Sequence, residues 1–344
     1  MIRTFIIRAR LGALVLIAQA LTLAVSGDAA APTAPYTFVA PSERNVVYGM
    51  DHGAALLLDV YRPATSNGYA LIFIMGTGFT ASGEYNDVPL KELNRYLVDA
   101  GIFPPLFGGK SHAFSPALEA GFTVFTINHR LAPAHTWKTM VRDCQRAVQW
   151  IRAHAQDYRI NPAAIGGLGH SSGATMTTFL AVADDVADPK AADPVNRQSS
   201  RIQAAVAFSG LHDLLAYREE RPALAGMLST LTGRTIMFET PDHPIFAAYR
   251  EASTINHITK DDAPMLIYHG DADELVDVRQ AQALDRALTH AGVPHELIIL
   301  PGADHGQLKQ PMQPTPVDHA ATWLLEQLRK LHPAKPRRAQ STPD

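Results

Sequence analysis

The segment that most constrains the fold is the Gly-x-Ser-x-Gly motif formed by Gly169, Ser171 and Gly173. A short apolar stretch before the motif predicts a strand, and residues 174–183 after it predict a helix. A strand that turns directly into a helix holds the serine at its apex in a strained conformation. Glycines are needed on both sides because side chains there would collide with the strand and helix. The alternative is a glycine-rich structural turn, but the flanking strand and helix favour a nucleophile elbow, with the Ser172 amide beside it.

Composition limits the size of the core, the partners and the covalent cross-links to expect. The chain has 344 residues, of which 47% are hydrophobic and 18% charged, which is enough for one large core. The net charge of -3 and the lack of a basic stripe interleaved with aromatics give no reason to expect nucleic-acid binding. Cys144 is the only cysteine, so an intramolecular disulfide is excluded, and its place on an apolar helix face predicts a buried thiol.

The N-terminus reads as a targeting signal. Three arginines among the first ten residues precede an apolar run over residues 11–25, and small residues follow it. The uncharged run is about fifteen residues, short of the ~20 needed to span a bilayer. We therefore predict a signal peptide over residues 1–30, export to the periplasm or the medium, and no stable membrane insertion after cleavage.

The rest of the chain is predicted to be one α/β domain over residues 44–332, between a linker at 31–43 and a disordered tail at 333–344. Apolar runs typical of buried strands alternate with helical patterns along this domain. Such alternation predicts a doubly wound, mostly parallel sheet with helices on both faces. Residues 212–262 are predicted to be a mostly helical insertion between strands.

A serine hydroxyl needs a base to become a nucleophile, and that base needs an orienting carboxylate. In sheets of this type the chain order is Ser, then Asp or Glu, then His. His305 fits both order and position, because it lies on a glycine-flanked loop just after the last predicted strand. Asp273 is the preferred acid and Asp271 the main alternative, since both follow the preceding strand.

An oxyanion hole needs two amide donors. Ser172 would supply one, and Thr77 or Gly78, after the strand that ends near Met75, would supply the other. An ordinary strand-to-helix turn is the alternative for residues 77–78. The histidines have no metal-ligand spacing of the H-E-x-x-H kind, and the chemistry requires neither a metal nor an organic cofactor.

Further motifs carry a family resemblance. They are Asp59-Val60-Tyr61-Arg62-Pro63, Asn128-His129-Arg130-Leu131-Ala132-Pro133, His269-Gly270-x-x-Asp273 and Gly302-Ala303-Asp304-His305-Gly306. With the serine motif, they resemble the α/β-hydrolase superfamily, in its carboxylesterase/lipase branch related to hormone-sensitive lipase and to xylan-acetyl and feruloyl esterase-like proteins. The resemblance implies an α/β-hydrolase fold, a structural role for Asp143, and a triad of Ser171, Asp273 and His305.

The sequence departs from that family in two places. Met75-Gly76-Thr77-Gly78 stands where the family has His-Gly-Gly-Gly, and residues 84–114 are longer than usual. This insertion is predicted either to be lid-like, with Phe103, Leu106 and Phe107 lining an acyl or aromatic site, or to be a peripheral loop.

Together these features predict a serine carboxylic-ester hydrolase that forms an acyl-enzyme on short-chain esters of small molecules or polysaccharides. The alternatives are a serine peptidase of the prolyl-oligopeptidase type and a non-catalytic binding protein on the same fold. The sequence does not specify the oligomeric state.

Overall fold

The computed structural model describes residues 36–331 except residues 52, 81–87, 102 and 238. The predicted signal peptide at 1–30, the tail at 333–344 and residues 31–35 of the linker predicted at 31–43 lie outside the described residues.

A single sheet forms the centre of the described part of the chain. Its eight strands are β1 Glu43–Asp51, β2 Ala54–Tyr61, β3 Ala70–Ile74, β4 Thr123–Ile127, β5 Ile165–His170, β6 Ala204–Phe208, β7 Met265–Gly270 and β8 His295–Leu300. Their order across the sheet is β1-β2-β4-β3-β5-β6-β7-β8. β1 and β2 form an antiparallel hairpin, β2 is antiparallel to β4, and the remaining neighbours are parallel. The predicted doubly wound, mostly parallel sheet is confirmed.

Helices cover both faces of this sheet. They are α1 Leu90–Asp99, α2 Ser115–Glu119, α3 Trp137–Ala153, α4 Ala155–Tyr158, α5 Ser172–Val182, α6 Leu214–Glu220, α7 Ala225–Thr232, α8 Ile245–Glu251, α9 Arg279–Ala291 and α10 Pro316–Leu331. Short 3₁₀ turns lie at Leu106–Gly108, Pro194–Arg197, Pro222–Leu224 and Thr254–Asn256. No helix within the described ranges is both long and apolar enough to span a bilayer.

The central strands explain why the fold has three layers, with helices packed on each face of the sheet. β3 is buried along its whole length, and its successive side chains point to opposite faces of the sheet. Ile72 and Ile74 join the core beneath α3, α5 and α9, whereas Leu71 and Phe73 join the core beneath α1, α2 and α10. A strand with apolar side chains on both faces must lie between two layers of helices. Because helices cover both faces, a site is expected at the carboxyl ends of the strands, where open α/β sheets bind their ligands.

Candidate active site

Ser171 occupies a sharp turn between β5 and α5, with backbone angles φ 56° and ψ -128°. A Cβ atom on Gly169 would lie 2.3 Å from the carbonyl oxygen of Gly173, and one on Gly173 would lie 2.0 Å from the carbonyl oxygen of Ile74. Real Cβ contacts are not this short, so the helix and the end of β3 leave room only for glycine. The strained apex and the steric reason for both glycines match the expectation from the sequence.

Gly76, in the loop after β3, is a third glycine packed against this turn, and the sequence reasoning did not single it out. A Cβ there would lie 2.4 Å from the carbonyl oxygen of His170 and 2.6 Å from the Cβ of Ser171. The loop after β3 therefore passes directly against the apex. The signal was present in the Met-Gly-Thr-Gly run, but its partner is 95 residues away in the chain and only the folded sheet identifies it.

The structure brings Ser171, His305 and Asp273 together in one hydrogen-bonded chain. His305 Nε2 lies 2.9 Å from Ser171 Oγ, and His305 Nδ1 lies 2.7 Å from Asp273 Oδ2. With Nδ1–H donating to the carboxylate, Nε2 is free to accept the serine hydroxyl proton. The Asp273 side chain is fully buried and that of His305 is 13% exposed, so the imidazole can be reached from solvent and the carboxylate cannot.

Asp273 is held as an anion by its surroundings. Its Oδ1 accepts hydrogen bonds from the amides of Leu275 at 2.9 Å and Val276 at 2.8 Å, and His269 Nε2 lies 3.3 Å from its Oδ2. Burial alone would raise the pKa of this carboxyl, but the charge of His305 and the hydrogen bonds from His269 and His305 outweigh it and lower the pKa below its usual range. The group is therefore ionised at neutral pH and can orient the imidazole.

Asp271, the alternative acid, is placed differently. Its Oδ1 accepts a hydrogen bond of 2.6 Å from the amide of Gly302, at the start of the loop that carries His305. Asp271 thus connects the loops after β7 and β8, at an exposed position, whereas the imidazole of His305 bonds to Asp273.

The loop after β3 is tied to the elbow. The amide of Thr77 donates a hydrogen bond of 2.9 Å to Ser172 Oγ, and Gly78 adopts φ 66°, which favours glycine. The Ser172 amide opens α5, where the first N–H groups of a helix have no acceptor within the helix. Met227 of α7 approaches this loop, since its sulfur would lie 3.6 Å from a Cβ on Gly78. The 212–262 segment, which contains α6, α7 and α8, therefore borders the site.

The described part of the 84–114 segment packs against the loop that carries His305. The amide of Phe107 donates a hydrogen bond of 2.7 Å to the carbonyl of Gly306, and the Phe107 ring stacks on Phe208 at 4.7 Å. Phe107 and Leu106 are buried in the core, and Phe103 packs against the same cluster. Leu106 and Phe107 are thus part of the core beneath α1, α2 and α10, whereas Phe103 lies partly buried at its edge.

Two further observations complete the site. Cys144 is buried, and burial raises the pKa of its thiol well above the usual value, which makes it a poor nucleophile. Among the residues described, no group of three or more His, Cys, Asp or Glu side chains is arranged to hold a metal ion.

The family model named BD-FAE matches residues 108–288, just over half of the chain. The chain belongs to the BD-FAE family. This membership and the fold agree with the α/β-hydrolase resemblance of the sequence motifs.

Individual relatives point the same way. The chain is 31% identical over 175 residues to the probable carboxylic ester hydrolase LipM of Mycobacterium tuberculosis, covering 51% of this chain and 39% of LipM. It is 27% identical over 297 residues to the esterase LipC of the same organism, covering 83% of this chain and 65% of LipC. The chain thus spans less than two thirds of the length of these curated relatives. A solved structure described as a truncated form of a carbohydrate esterase from gut microbiota superposes with a TM-score of 0.65 at 25% identity, covering 85% of this chain and 97% of that one.

Proposed function

We propose that this protein is a serine carboxylic-ester hydrolase with Ser171 as nucleophile, His305 as base and Asp273 as orienting acid. The observation that carries the proposal is the continuous pair of hydrogen bonds, 2.9 Å and 2.7 Å long, that links these three side chains at the carboxyl edge of the sheet. The esterase names of the relatives support the same reaction class.

The proposed reaction proceeds through an acyl-enzyme on Ser171. Ser171 Oγ attacks the ester carbonyl carbon as its proton passes to His305 Nε2, and the ionised Asp273 stabilises the imidazolium through Nδ1–H. The imidazolium then donates that proton to the leaving alkoxide oxygen, which departs as the alcohol and leaves an acyl group on Ser171. Water, deprotonated by His305, attacks this acyl-enzyme, and the serine recovers its proton as the carboxylic acid leaves.

Backbone amides would hold the negative oxygen of the tetrahedral intermediates. The Ser172 amide is one donor, since it begins α5 beside the nucleophile and is aided by the helix dipole. Of the two amides considered after β3, that of Gly78 is the better second donor, because the Thr77 amide already donates to Ser172 Oγ. Thr77 would then act by fixing the loop against the elbow.

The substrates proposed are esters of short acyl chains, including acyl groups attached to polysaccharides. Leu106 and Phe107, which a long acyl tunnel could have used, are packed in the core. The likeness to a structure described as a carbohydrate esterase supports a sugar-linked alcohol. Export to the periplasm or the medium, as the N-terminal sequence predicts, is part of the same proposal.

A panel of substrates tests this function. Initial rates on p-nitrophenyl esters from acetate to laurate, on acetylated xylan and on feruloyl esters should be highest for the shortest acyl groups. The Ser171→Ala variant should lose at least ~10³-fold of this activity, as the loss of a triad nucleophile does. Hydrolysis of aminoacyl anilides without hydrolysis of any ester would replace the proposal with a peptidase, and esterase activity that survives Ser171→Ala would refute the assignment of the nucleophile.

A further inference from the structure

The histidine next to the nucleophile makes a contact that the mechanism above does not use. His170 is the last residue of β5, and its side chain is buried beside Phe107, with ring centroids 5.9 Å apart. Its Nε2 lies 2.6 Å from the backbone carbonyl oxygen of His305. The side chain that precedes the nucleophile therefore contacts the main chain of the base.

This contact fixes the protonation of His170. A carbonyl oxygen only accepts hydrogen bonds, so Nε2 must carry the proton that it donates. Nδ1 is buried and has no hydrogen-bond partner among the described residues. Burial, reinforced by the positive charge of His305, lowers the pKa of His170 to about 3. The ring is therefore a neutral Nε2–H tautomer throughout the range in which an esterase of this kind would work.

The loop that carries His305 is held at two successive carbonyl groups. The carbonyl of His305 accepts from His170, and that of Gly306 accepts from the amide of Phe107 at 2.7 Å. A Cβ on Gly306 would lie 2.8 Å from Leu106 Cδ2, so the loop also sits directly on the 106–108 turn. Only the first of these bonds starts at the elbow itself.

We propose that His170 is a positioning residue, whose Nε2–H···O=C bond to His305 sets the distance between the imidazole of the base and the hydroxyl of Ser171. The bond joins the backbone of the base to the residue covalently bonded to the nucleophile. Displacement of the loop away from the serine would lengthen both this hydrogen bond and the 2.9 Å contact between Nε2 of His305 and Ser171 Oγ. The neutral ring of His170 is suited to this position, because it does not repel the imidazolium that His305 becomes during acylation.

The inference rests on the proposed function, but its first test does not require activity. Protein labelled with ¹⁵N-histidine is examined by long-range ¹H–¹⁵N correlation, and the resonances of His170 are assigned from their loss in His170→Gln. The expected result is a neutral ring with the proton on Nε2 from pH 7.5 to pH 5. A proton on Nδ1, or a doubly protonated ring in this range, would overturn the proposal, because the bond to the His305 carbonyl would then not be the one that the structure contains.

The second test measures chemistry per active site. His170→Met removes the donor at similar volume, and His170→Gln keeps an amide N–H near the position of Nε2. Active sites are titrated with a fluorophosphonate so that misfolded protein does not contribute to kcat. His170→Met should lower kcat by roughly 10- to 100-fold, the scale of a misplacement approaching 1 Å, with KM within about threefold of the wild type. His170→Gln should recover most of the lost kcat.

The outcomes separate the two proposals. Wild-type kcat per titrated site in His170→Met would overturn the positioning role and leave the esterase assignment intact. Absence of ester hydrolysis by the wild-type protein would refute the proposed function, while the tautomer of His170 would still test the hydrogen bond.

Discussion

Gly76→Ala tests how closely the oxyanion loop and the nucleophile elbow depend on each other. The added Cβ would lie 2.4 Å from the carbonyl oxygen of His170 and 2.6 Å from the Cβ of Ser171, where ordinary contacts begin at 3.4 Å. The loop and elbow must then separate by roughly 1 Å, and a misplacement of that size costs about 10²-fold in rate. Both neighbouring atoms belong to the backbone or to a Cβ, so no rotamer change can relieve the contact. We expect kcat/KM to fall by about 10²-fold and the free energy of unfolding to fall by about 1–3 kcal/mol.

The assay pairs p-nitrophenyl acetate kinetics with urea unfolding of the same preparations. Gly121→Ala is the matched control, because its Cβ would lie 2.7 Å from the carbonyl oxygen of Thr65, in a loop before β4 at the opposite edge of the sheet. This control should lose stability and keep kcat/KM within about twofold of the wild type. Gly76→Ala with wild-type kcat/KM would refute the reasoning, and so would an equal loss of kcat/KM in the control.

Three further predictions concern the acid, the loop anchor and the buried histidines. Asp273→Asn should lower kcat by about 10⁴-fold, because an amide favours the wrong imidazole tautomer, whereas Asp271→Asn should stay within about tenfold; the reverse order in p-nitrophenyl acetate assays would make Asp271 the acid. Ser172→Ala removes the acceptor of the oxyanion-loop amide and should lower kcat about 2- to 10-fold, and an increased kcat in the same assay would show that this bond holds the loop in the wrong place. Burial lowers the pKa of His170 and His212 from 6.5 to about 3, so the unfolded chain binds more protons between these values and stability falls as pH falls below 6.5. Each of these two histidines should lower the free energy of unfolding by roughly 2 kcal/mol at pH 5 relative to pH 7.5. In urea unfolding, His212→Gln should show a pH dependence smaller by that amount, and an unchanged pH dependence would contradict the prediction.

Local sequence patterns are enough to predict the positions of Ser171, Asp273 and His305. Gly169 is required by a close contact within the motif itself, since its Cβ would meet the carbonyl of Gly173, and His305 follows a strand with a clear apolar run. Because the carboxyl ends of parallel strands meet at one edge, the order of strands and loops was enough to bring Ser171, Asp273 and His305 near one another. The structure adds the distances between their atoms.

What the sequence did not predict depends on contacts between distant segments. Phe107 adopts φ 49° and stacks on Phe208, about a hundred residues later, and no local pattern indicates that partner. The same holds for Gly76, whose neighbour is the elbow, and for the bond between His170 and His305. An apolar residue in an insertion is equally compatible with a pocket wall and with the core, and only the packing of α10 and the sheet decides between them.

In the proposed reaction Ser171, activated by His305, carries the acyl group. Intact-protein and peptide mass spectrometry of the wild-type protein, quenched in acid within the first turnovers of p-nitrophenyl acetate, tests it most directly. We predict one acetyl group per active site, on the peptide that contains Ser171, and none in the His305→Ala variant. Steady ester turnover with Ser171 unmodified at every quench time, or with the acetyl group on another residue, would contradict the account.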